Sequence, residues 1–307
     1  MMDLSFYKMC PSGNTTILIS NPHIAAPLRA PIANMLMHPL HLQAEQVAYV
    51  DMHAKPPHIT MMGGEFCGNA CRSLAAILAM ELKTQGSQDG KNFEGSMLSS
   101  GTDAPVAYRV YQADDGTMNA AIRMPNATMP AVSYVKINNK NAPIVHLDGI
   151  DHLLLDETDH PQSAEHNTAQ ASTAAREILD QCGLLQSVAA GCIWYQHDIA
   201  TGACSITPFV HVRETQSLYA ETACGSGTLA MALYLAGMTQ GATPQNESTV
   251  TLHVLQPSGM TITATCTQHA SPNRNAPHAE AHIEAHIEAW IGGEVTCIAK
   301  GLTMVNI

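Results

Sequence analysis

Two segments of this chain read as helices with almost no polar face. The first follows Cys67 in CGNACRSLAAILAMEL, where Arg72 and Glu81 are the only charges. The second follows Cys224 in CGSGTLAMALYLAG, carries no charge and stops at Gly237. A surface helix needs a polar side towards water, and neither segment reaches the ~20 residues that span a bilayer. Each must therefore be enclosed by protein nearly all round. Most other segments read as strands, so the enclosing material is sheet. The expected class is α+β, with two buried helices, each wrapped by strands.

Strand-like runs rich in β-branched or aromatic residues lie at 4–9, 15–20, 46–52, 133–137, 193–197 and 208–212. The first two flank a hairpin-like turn at 10–14. In 249–255, Val250, Leu252 and Val254 alternate with polar residues, and Pro257-Ser258-Gly259 turns the chain into a further strand at 260–266. Helical composition recurs at 27–37 and 171–185, with Gly183 near the end of the second. Residues 157–172 and 267–279 read as loops. The near-repeat at 281–288 places His282 and His286 four residues apart, and with His278 they are conceivable metal ligands; a solvated segment is the plainer reading.

The two uncharged helices resemble copies. Aligning Cys67 with Cys224, 157 residues apart, matches Gly68 with Gly225, Ala75 with Ala232 and Leu78 with Leu235. A Glu precedes each, Glu65 and Glu221. A separation of half the chain suggests an internal duplication and two pseudo-symmetric domains.

Acidic residues outnumber basic ones 26 to 14, a formal charge of -12, and the Lys and Arg are scattered. That disfavours nucleic acid, whose phosphates need clustered cations, and an anionic membrane surface. The partner expected is a small molecule. The N-terminus lacks the apolar core of a signal peptide. The nine Cys, an odd number, cannot all pair internally. A cytoplasmic protein with reduced thiols is the expectation.

A Cys at a helix N-terminus faces unpaired backbone N–H groups and the positive end of the dipole, which favour a thiolate. The same N–H groups hold a carboxylate, and the following Gly lets backbone approach a ligand. If two such loops converge on one carboxylate, their thiols flank one carbon from opposite faces. One thiolate then removes a proton while the other thiol delivers one, and the helix ends stabilise the developing charge. This is the logic of an amino-acid racemase that needs no cofactor. A metal-binding protein, suggested by 16 His, 17 Met and nine Cys, fits less well because those residues are dispersed. A pyridoxal-phosphate racemase would need a Schiff-base Lys.

EFCGNACR and ETACGSGTLA resemble the two catalytic motifs of the diaminopimelate epimerase family. PSGNTT around Asn14, QPSG near residue 256 and the terminal IGGEV…AKG extend the likeness over most of the chain. The resemblance implies two pseudo-symmetric domains, each a β-barrel around a central buried helix. It implies domains at 1–130, joined by a returning strand at about 300–307, and at 131–299. It also implies Cys67 and Cys224 as the acid/base pair and a homodimer. Substrate contacts fall to Asn14, Gly68, Asn69, Gly225 and Ser226. Glu65 and Glu221 either orient the thiol loops or are helix-start charges favoured by the dipole. Cys71 and the remaining Cys read as packing, without zinc spacing.

Departures from the pattern bear on substrate. The epimerases place a Glu-Arg pair nine and eight residues before the second Cys, where this chain has Thr215 and Gln216. An Asn that they carry in the second domain is replaced near Gly191. Diaminopimelate is therefore disfavoured, since its charged end would lack partners. The motifs PSGNTTIL, Glu45-Gln46-Val47, GEFCGNA and CGSGT look closer to the histidine racemases of staphylopine-type metallophore synthesis. There an acidic residue like Glu45 is associated with the active site, although Glu45 also reads simply as a solvated residue before a strand. The expectation is interconversion of L- and D-histidine, with diaminopimelate epimerisation or racemisation of another amino acid as alternatives.

Overall fold

A computed structural model describes residues 1–21, 24–84, 91–125, 127–162, 168–213, 216–240, 247–269 and 287–306. The chain divides into two compact units. Unit 1 comprises Met1–Pro125, Ser258–Ile262 and Ile291–Ile307; unit 2 comprises Asn126–Pro257 and Thr263–Trp290.

The elements that begin in unit 1 are β1 (Met2–Pro11), β2 (Thr16–Ile19), α1 (Ala26–Met37), β3 (Gln46–Asp51), β4 (His58–Met61), α2 (Gly68–Thr84), β5 (Asn92–Ser99), β6 (Val106–Gln112) and β7 (Met118–Arg123). Unit 2 follows with β8 (Ala131–Ile137), β9 (Lys140–Leu147), β10 (Ile150–Asp156), α3 (Ala169–Gln181), β11 (Ala189–His197), β12 (Cys204–Val212), β13 (Ser217–Ala220), α4 (Gly225–Leu235), β14 (Ser248–Leu255) and most of β15 (Thr261–Gln268), whose first two residues belong to unit 1. The long strand β16 (Ile287–Val305) starts in unit 2 and finishes in unit 1.

Parallel neighbours need a crossover, and helices supply it. β2 and β3 are parallel and joined through α1, and β4 and β5 through α2. The same device recurs in unit 2, where α3 joins parallel β10 and β11, and β13 with α4 joins parallel β12 and β14. The series β1-β2-α1-β3-β4-α2-β5-β6 thus returns as β9-β10-α3-β11-β12-α4-β14-β15, with β13 added. This repeated order matches the helix likeness read from sequence, with α2 and α4 in corresponding places.

The two strand paths end differently. In unit 1 the order is β1-β2-β3-β4-β5-β6-β7-β16, and β16 also pairs with β1, so the path returns to its start. In unit 2 the order β15-β14-β12-β11-β10-β9-β8 does not return among the described residues. The reason lies in β9, the counterpart of β1: its outer edge is taken by the β8 hairpin. The structure is a mixed α+β, sheet-rich fold whose halves share element order, and among the described residues only the strand path of unit 1 returns to its start.

Burial separates inner from outer helices. Every residue of α2 from Asn69 to Ile77 is buried, as is every residue of α4 from Gly227 to Leu233. α3 buries only the stripe Ala171, Ala175 and Leu179, and α1 only Ile32, Ala33 and Leu36. The core of unit 1 packs Leu74, Ala75 and Ile77 of α2 against Met9, Val50, Phe93, Val106 and Ile122. That of unit 2 packs Ala230 and Met231 of α4 against Val145, Leu154, Ile193 and Val254. α2 runs one turn further than its apolar run, and its last residues, Lys83 and Thr84, are exposed.

Local signals explain two shifted boundaries. The helix expected at 171–185 stops at Gln181, because Gly183 takes a left-handed φ of 72° and a short 3-10 turn follows. The loop expected at 157–172 is cut short by Thr168, whose hydroxyl accepts the Ala171 N–H and caps α3. His278, His282 and His286, the conceivable metal ligands of the sequence reading, lie outside the described residues. Among the described residues no helix is long and apolar enough to cross a membrane.

Leu74 is fully buried at the centre of the unit 1 core. Leu74→Ala should cost about 2–5 kcal/mol of unfolding free energy, measured as a lower urea midpoint with an unchanged slope.

Candidate active site

Cys67 is the residue immediately before α2. Its sulfur accepts the Ala70 N–H at 3.5 Å, in the manner of an N-cap oxygen, and its carbonyl accepts the Cys71 N–H at 3.0 Å. The thiol donates to Gln46 Oε1 at 3.0 Å, at the start of β3. The loop before it is clamped from behind. Ser100 Oγ donates to the Glu65 carbonyl at 2.8 Å and accepts the Met61 N–H at 2.9 Å. Gly101 (φ 74°) approaches so closely that a Cβ there would lie 2.2 Å from the Phe66 nitrogen.

Asn14 and Glu45 meet beside the start of β3. Asn14 Nδ2 donates to Glu45 Oε2 at 3.1 Å, and the Thr15 N–H donates to Glu45 Oε1 at 3.2 Å. Asn14 Oδ1 accepts the Thr16 hydroxyl at 3.1 Å. Glu45 is thus tied to the β1–β2 turn and is more than a solvated residue before a strand. The turn itself rests on QPSG: Ser258 Oγ donates to the Ser12 carbonyl at 2.8 Å, and a Cβ on Gly13 (φ 100°) would collide with Ser258.

Asn69 and Arg72 extend this site into α2. Asn69 Oδ1 accepts from Arg72 Nη1 at 3.3 Å. Arg72 is 0% exposed; it also donates to the carbonyls of Ala120 (3.0 Å) and Glu294 (3.2 Å) and to Ser12 Oγ (2.8 Å).

Cys224 caps α4 with extended backbone angles, φ -122° and ψ 108°, and its sulfur accepts the Gly227 N–H at 3.4 Å. Ser226 Oγ lies 3.6 Å from the sulfur. The Cys224 N–H donates to Gln256 Oε1 at 2.9 Å, while Gln256 Nε2 donates to Thr228 Oγ1 and the Val254 carbonyl, each at 3.1 Å. The Thr228 hydroxyl donates to the Cys224 carbonyl at 2.8 Å. One buried amide at the end of β14 therefore fixes both backbone groups of the cysteine, the carbonyl by way of Thr228.

The two thiols have different surroundings. Cys67 is partly exposed, whereas Cys224 is 3% exposed. Burial raises the Cys224 pKa well above that of an ordinary thiol, and the adjacent Glu221 carboxylate raises it further. Burial also raises Cys71 to about 12, Cys204 to about 11 and Cys266 to about 12, and it raises Cys192, Cys182 and Cys297. All nine Cys are free thiols.

Of the residues singled out from sequence, Asn14, Glu45, Cys67, Gly68 and Asn69 stand together in unit 1, and Glu221, Cys224, Gly225 and Ser226 in unit 2. Glu65 lies in the Cys67 loop with its carboxylate turned over Gly63, where a Cβ would sit 2.6 Å from Oε2. Gly191 abuts the buried His152, with a Cβ position 2.1 Å from the ring Nδ1. Gln216 turns its amide back to the Arg213 carbonyl; Thr215 lies outside the described residues. Gln46, Arg72, Thr228, Ser258 and Gln256 were not assigned site roles from the sequence. All five lie inside motifs already noted, Arg72 in EFCGNACR and Thr228 in CGSGT, which was the available signal. Among the described residues no group of His, Cys, Asp and Glu is arranged to hold a metal ion.

The fold is shared with solved racemases and epimerases. A probable proline racemase from Agrobacterium radiobacter superposes with a TM-score of 0.60 at 13% identity, covering 99% of this chain and 93% of the other. A hydroxyproline epimerase from Agrobacterium vitis gives 0.61 at 11% identity, covering 98% and 92%. A Bacillus anthracis phenazine biosynthesis protein of the PhzF family gives 0.59 at 10%, covering 99% of both. In sequence, the profile described as the histidine racemase CntK N-terminal domain matches residues 3–286. A histidine racemase of Fusobacterium nucleatum is 30% identical over 235 residues, 76% of this chain and 80% of that protein. One from Staphylococcus aureus is 42% identical over 74 residues, 23% of this chain and 27% of that protein. Fold and relatives define an isomerase of the amino-acid racemase class. Within it, the chain belongs to the histidine racemase family.

Gln256→Ala would leave the buried Cys224 N–H without its acceptor. The expected cost is about 1–3 kcal/mol, read from urea unfolding.

Proposed function

We propose that this protein interconverts L- and D-histidine by two-thiol acid/base chemistry, with Cys67 and Cys224 as the pair. The observation that carries the reading is that each thiol caps the N-terminus of a buried helix, with its sulfur turned to a first-turn backbone N–H. In the reaction, one thiolate takes the Cα proton to become a thiol. The opposite thiol gives its proton to the other face of Cα and is left as a thiolate, so configuration inverts and charge balances. The planar carbanion spreads its charge into the substrate carboxylate, which the N–H groups at Gly68, Asn69, Gly225 and Ser226 hold. The chemistry needs no cofactor.

Asn14 and Glu45 form the substrate subsite of unit 1, with Glu45 accepting from the imidazole. Their mutual hydrogen bond supports that reading, because it holds the carboxylate in one orientation beside Gln46, the partner of Cys67. Glu221 orients the second loop, and Glu65 the first. The diaminopimelate epimerase-like scheme of two halves, 1–130 with 300–307 and 131–299, describes how the protein divides this work. The enzyme acts as a cytoplasmic homodimer, and its D-histidine feeds metallophore synthesis.

Chiral chromatography of a panel of enantiopure amino acids tests substrate and mechanism together. Histidine should turn over best, with deuterium from D2O appearing at Cα of the inverted product. Cys67→Ser and Cys224→Ser should each lower kcat by about 10²–10⁴-fold. Strong turnover of diaminopimelate without histidine would overturn the substrate reading. Full racemisation by both Ser variants would overturn the thiol pair.

A further inference from the structure

Unit 2 carries a second cluster of reactive side chains, on the face of its sheet opposite the one that packs α4. Along β8, Ser133 is followed at two-residue steps by Val135 and Ile137. Along β9, His146 is preceded by Ile144 and Ala142, and along β10 Asp151 is followed by Leu153 and Leu155. Alternation puts each set on one face, and the apolar members pack with Ala171, Ala175 and Leu179 of α3. Ser133, His146 and Asp151 therefore stand where that buried face runs out to water. Register brings them together: His146 pairs with Ala131 of β8 and with Asp151 of β10, so Ser133 is its diagonal neighbour.

The three side chains form one hydrogen-bonded line. Ser133 Oγ lies 2.8 Å from His146 Nε2, and His146 Nδ1 lies 2.7 Å from Asp151 Oδ1. Ser187 Oγ, just after the 3-10 turn that follows α3, donates to Asp151 Oδ2 at 2.6 Å. Both carboxylate oxygens are thus occupied. A neutral imidazole has one donor nitrogen and one acceptor, and an ionised carboxylate only accepts. Nδ1 therefore carries the proton, and Nε2 is left to accept the Ser133 hydroxyl. Two other hydroxyls meet imidazoles in this protein, Thr303 Oγ1 at 2.8 Å from His41 Nε2 and Thr263 Oγ1 at 2.9 Å from His253 Nδ1. Of these three pairs, only that of Ser133 has a carboxylate hydrogen-bonded to the other ring nitrogen. Hydroxyl, imidazole and carboxylate in this order are a nucleophile, its base and the group that orients the base. Ser133 is exposed, while the side chain of Asp151 is 23% exposed, so the reacting end faces water and the orienting end is sheltered.

We propose that Ser133 is a nucleophilic serine that takes the acyl group of a small activated carboxylic ester and passes it to water, with His146 as base and Asp151 as the positioning residue for the imidazole. Ser133 Oγ bonds to the ester carbonyl carbon as His146 Nε2 takes the hydroxyl proton. The bond to the leaving oxygen then breaks, and the imidazolium gives that proton to the leaving alcohol. Water next attacks the acyl-serine and yields a proton to Nε2. Oγ leaves with that proton, and the carboxylic acid is released. Aryl esters suit the site, because their leaving groups depart with little assistance. This chemistry goes beyond racemisation and uses none of the residues assigned to it.

Labelling of the full-length protein with a fluorophosphonate, with each serine peptide quantified by mass spectrometry, tests this. The reagent phosphonylates an activated serine as fluoride leaves. Ser133 should label about 10²-fold or more faster than Ser96, an exposed strand serine of unit 1. His146→Ala should remove most of that difference, and added free imidazole should restore part of it, which a purely structural role would not allow. Asp151→Asn should slow labelling by about tenfold or more and shift the His146 proton from Nδ1 to Nε2, read by nitrogen NMR of the ring. Wild type should release p-nitrophenolate from p-nitrophenyl acetate faster than Ser133→Ala does, with histidine racemisation the same in both. Wild-type Ser133 labelling no faster than Ser96 overturns the inference, whether or not any variant folds. Unchanged labelling in a folded His146→Ala protein overturns it too, as does equal p-nitrophenolate release by wild type and Ser133→Ala.

Discussion

A helix that is apolar around its whole girth has to be surrounded, and this one requirement organises both units. α2 is buried without a break from Asn69 to Ile77, and α4 from Gly227 to Leu233. Such a helix cannot satisfy its first N–H groups with bulk water, so side chains or a ligand must do so. At both N-termini a cysteine sulfur takes one of them. The strands that enclose the helices also bring in the supporting polar groups. The β1–β2 turn carries Asn14, the start of β3 carries Gln46, and the end of β14 carries Gln256. Enclosing the helix and building the site are one structural event.

The repeated element order then provides two related cysteine loops with different surroundings. In unit 1 the Cys67 thiol is partly exposed and donates to the Gln46 amide oxygen; in unit 2 Cys224 is buried and Glu221 raises its pKa further. Acid/base chemistry at a carbon needs one group able to take a proton and another able to give one.

The parts of this arrangement that were readable in advance are those encoded locally. Uncharged helices announce their burial, Cys-Gly announces a helix start open to an anion, and alternation at 249–255 announces β14. Gln256 could not be recognised as the support for Cys224 by such signals, because the two residues are 32 positions apart and meet only once β14 lies against α4. Arg72 was visible as an odd charge in an apolar helix, but its acceptors come from β7, β16 and the β1–β2 turn. Closure was equally hidden. Whether a sheet path returns on itself depends on which strand claims the outer edge of β1 or β9, and neither strand's own residues specify that neighbour.

The sequence by itself determined that two helices would be buried, that each would begin at a cysteine, and that the halves would be related. Burial and capping follow from the composition of short segments, and those properties persist whatever the segments pack against. Only the tertiary structure decided which buried amide would hold Cys224, which oxygens would receive Arg72, and that unit 1 would return its strand path while unit 2, among the described residues, would not. Those outcomes depend on contacts between residues far apart in the chain. Their energies exist only after the backbone has brought the groups within hydrogen-bonding distance.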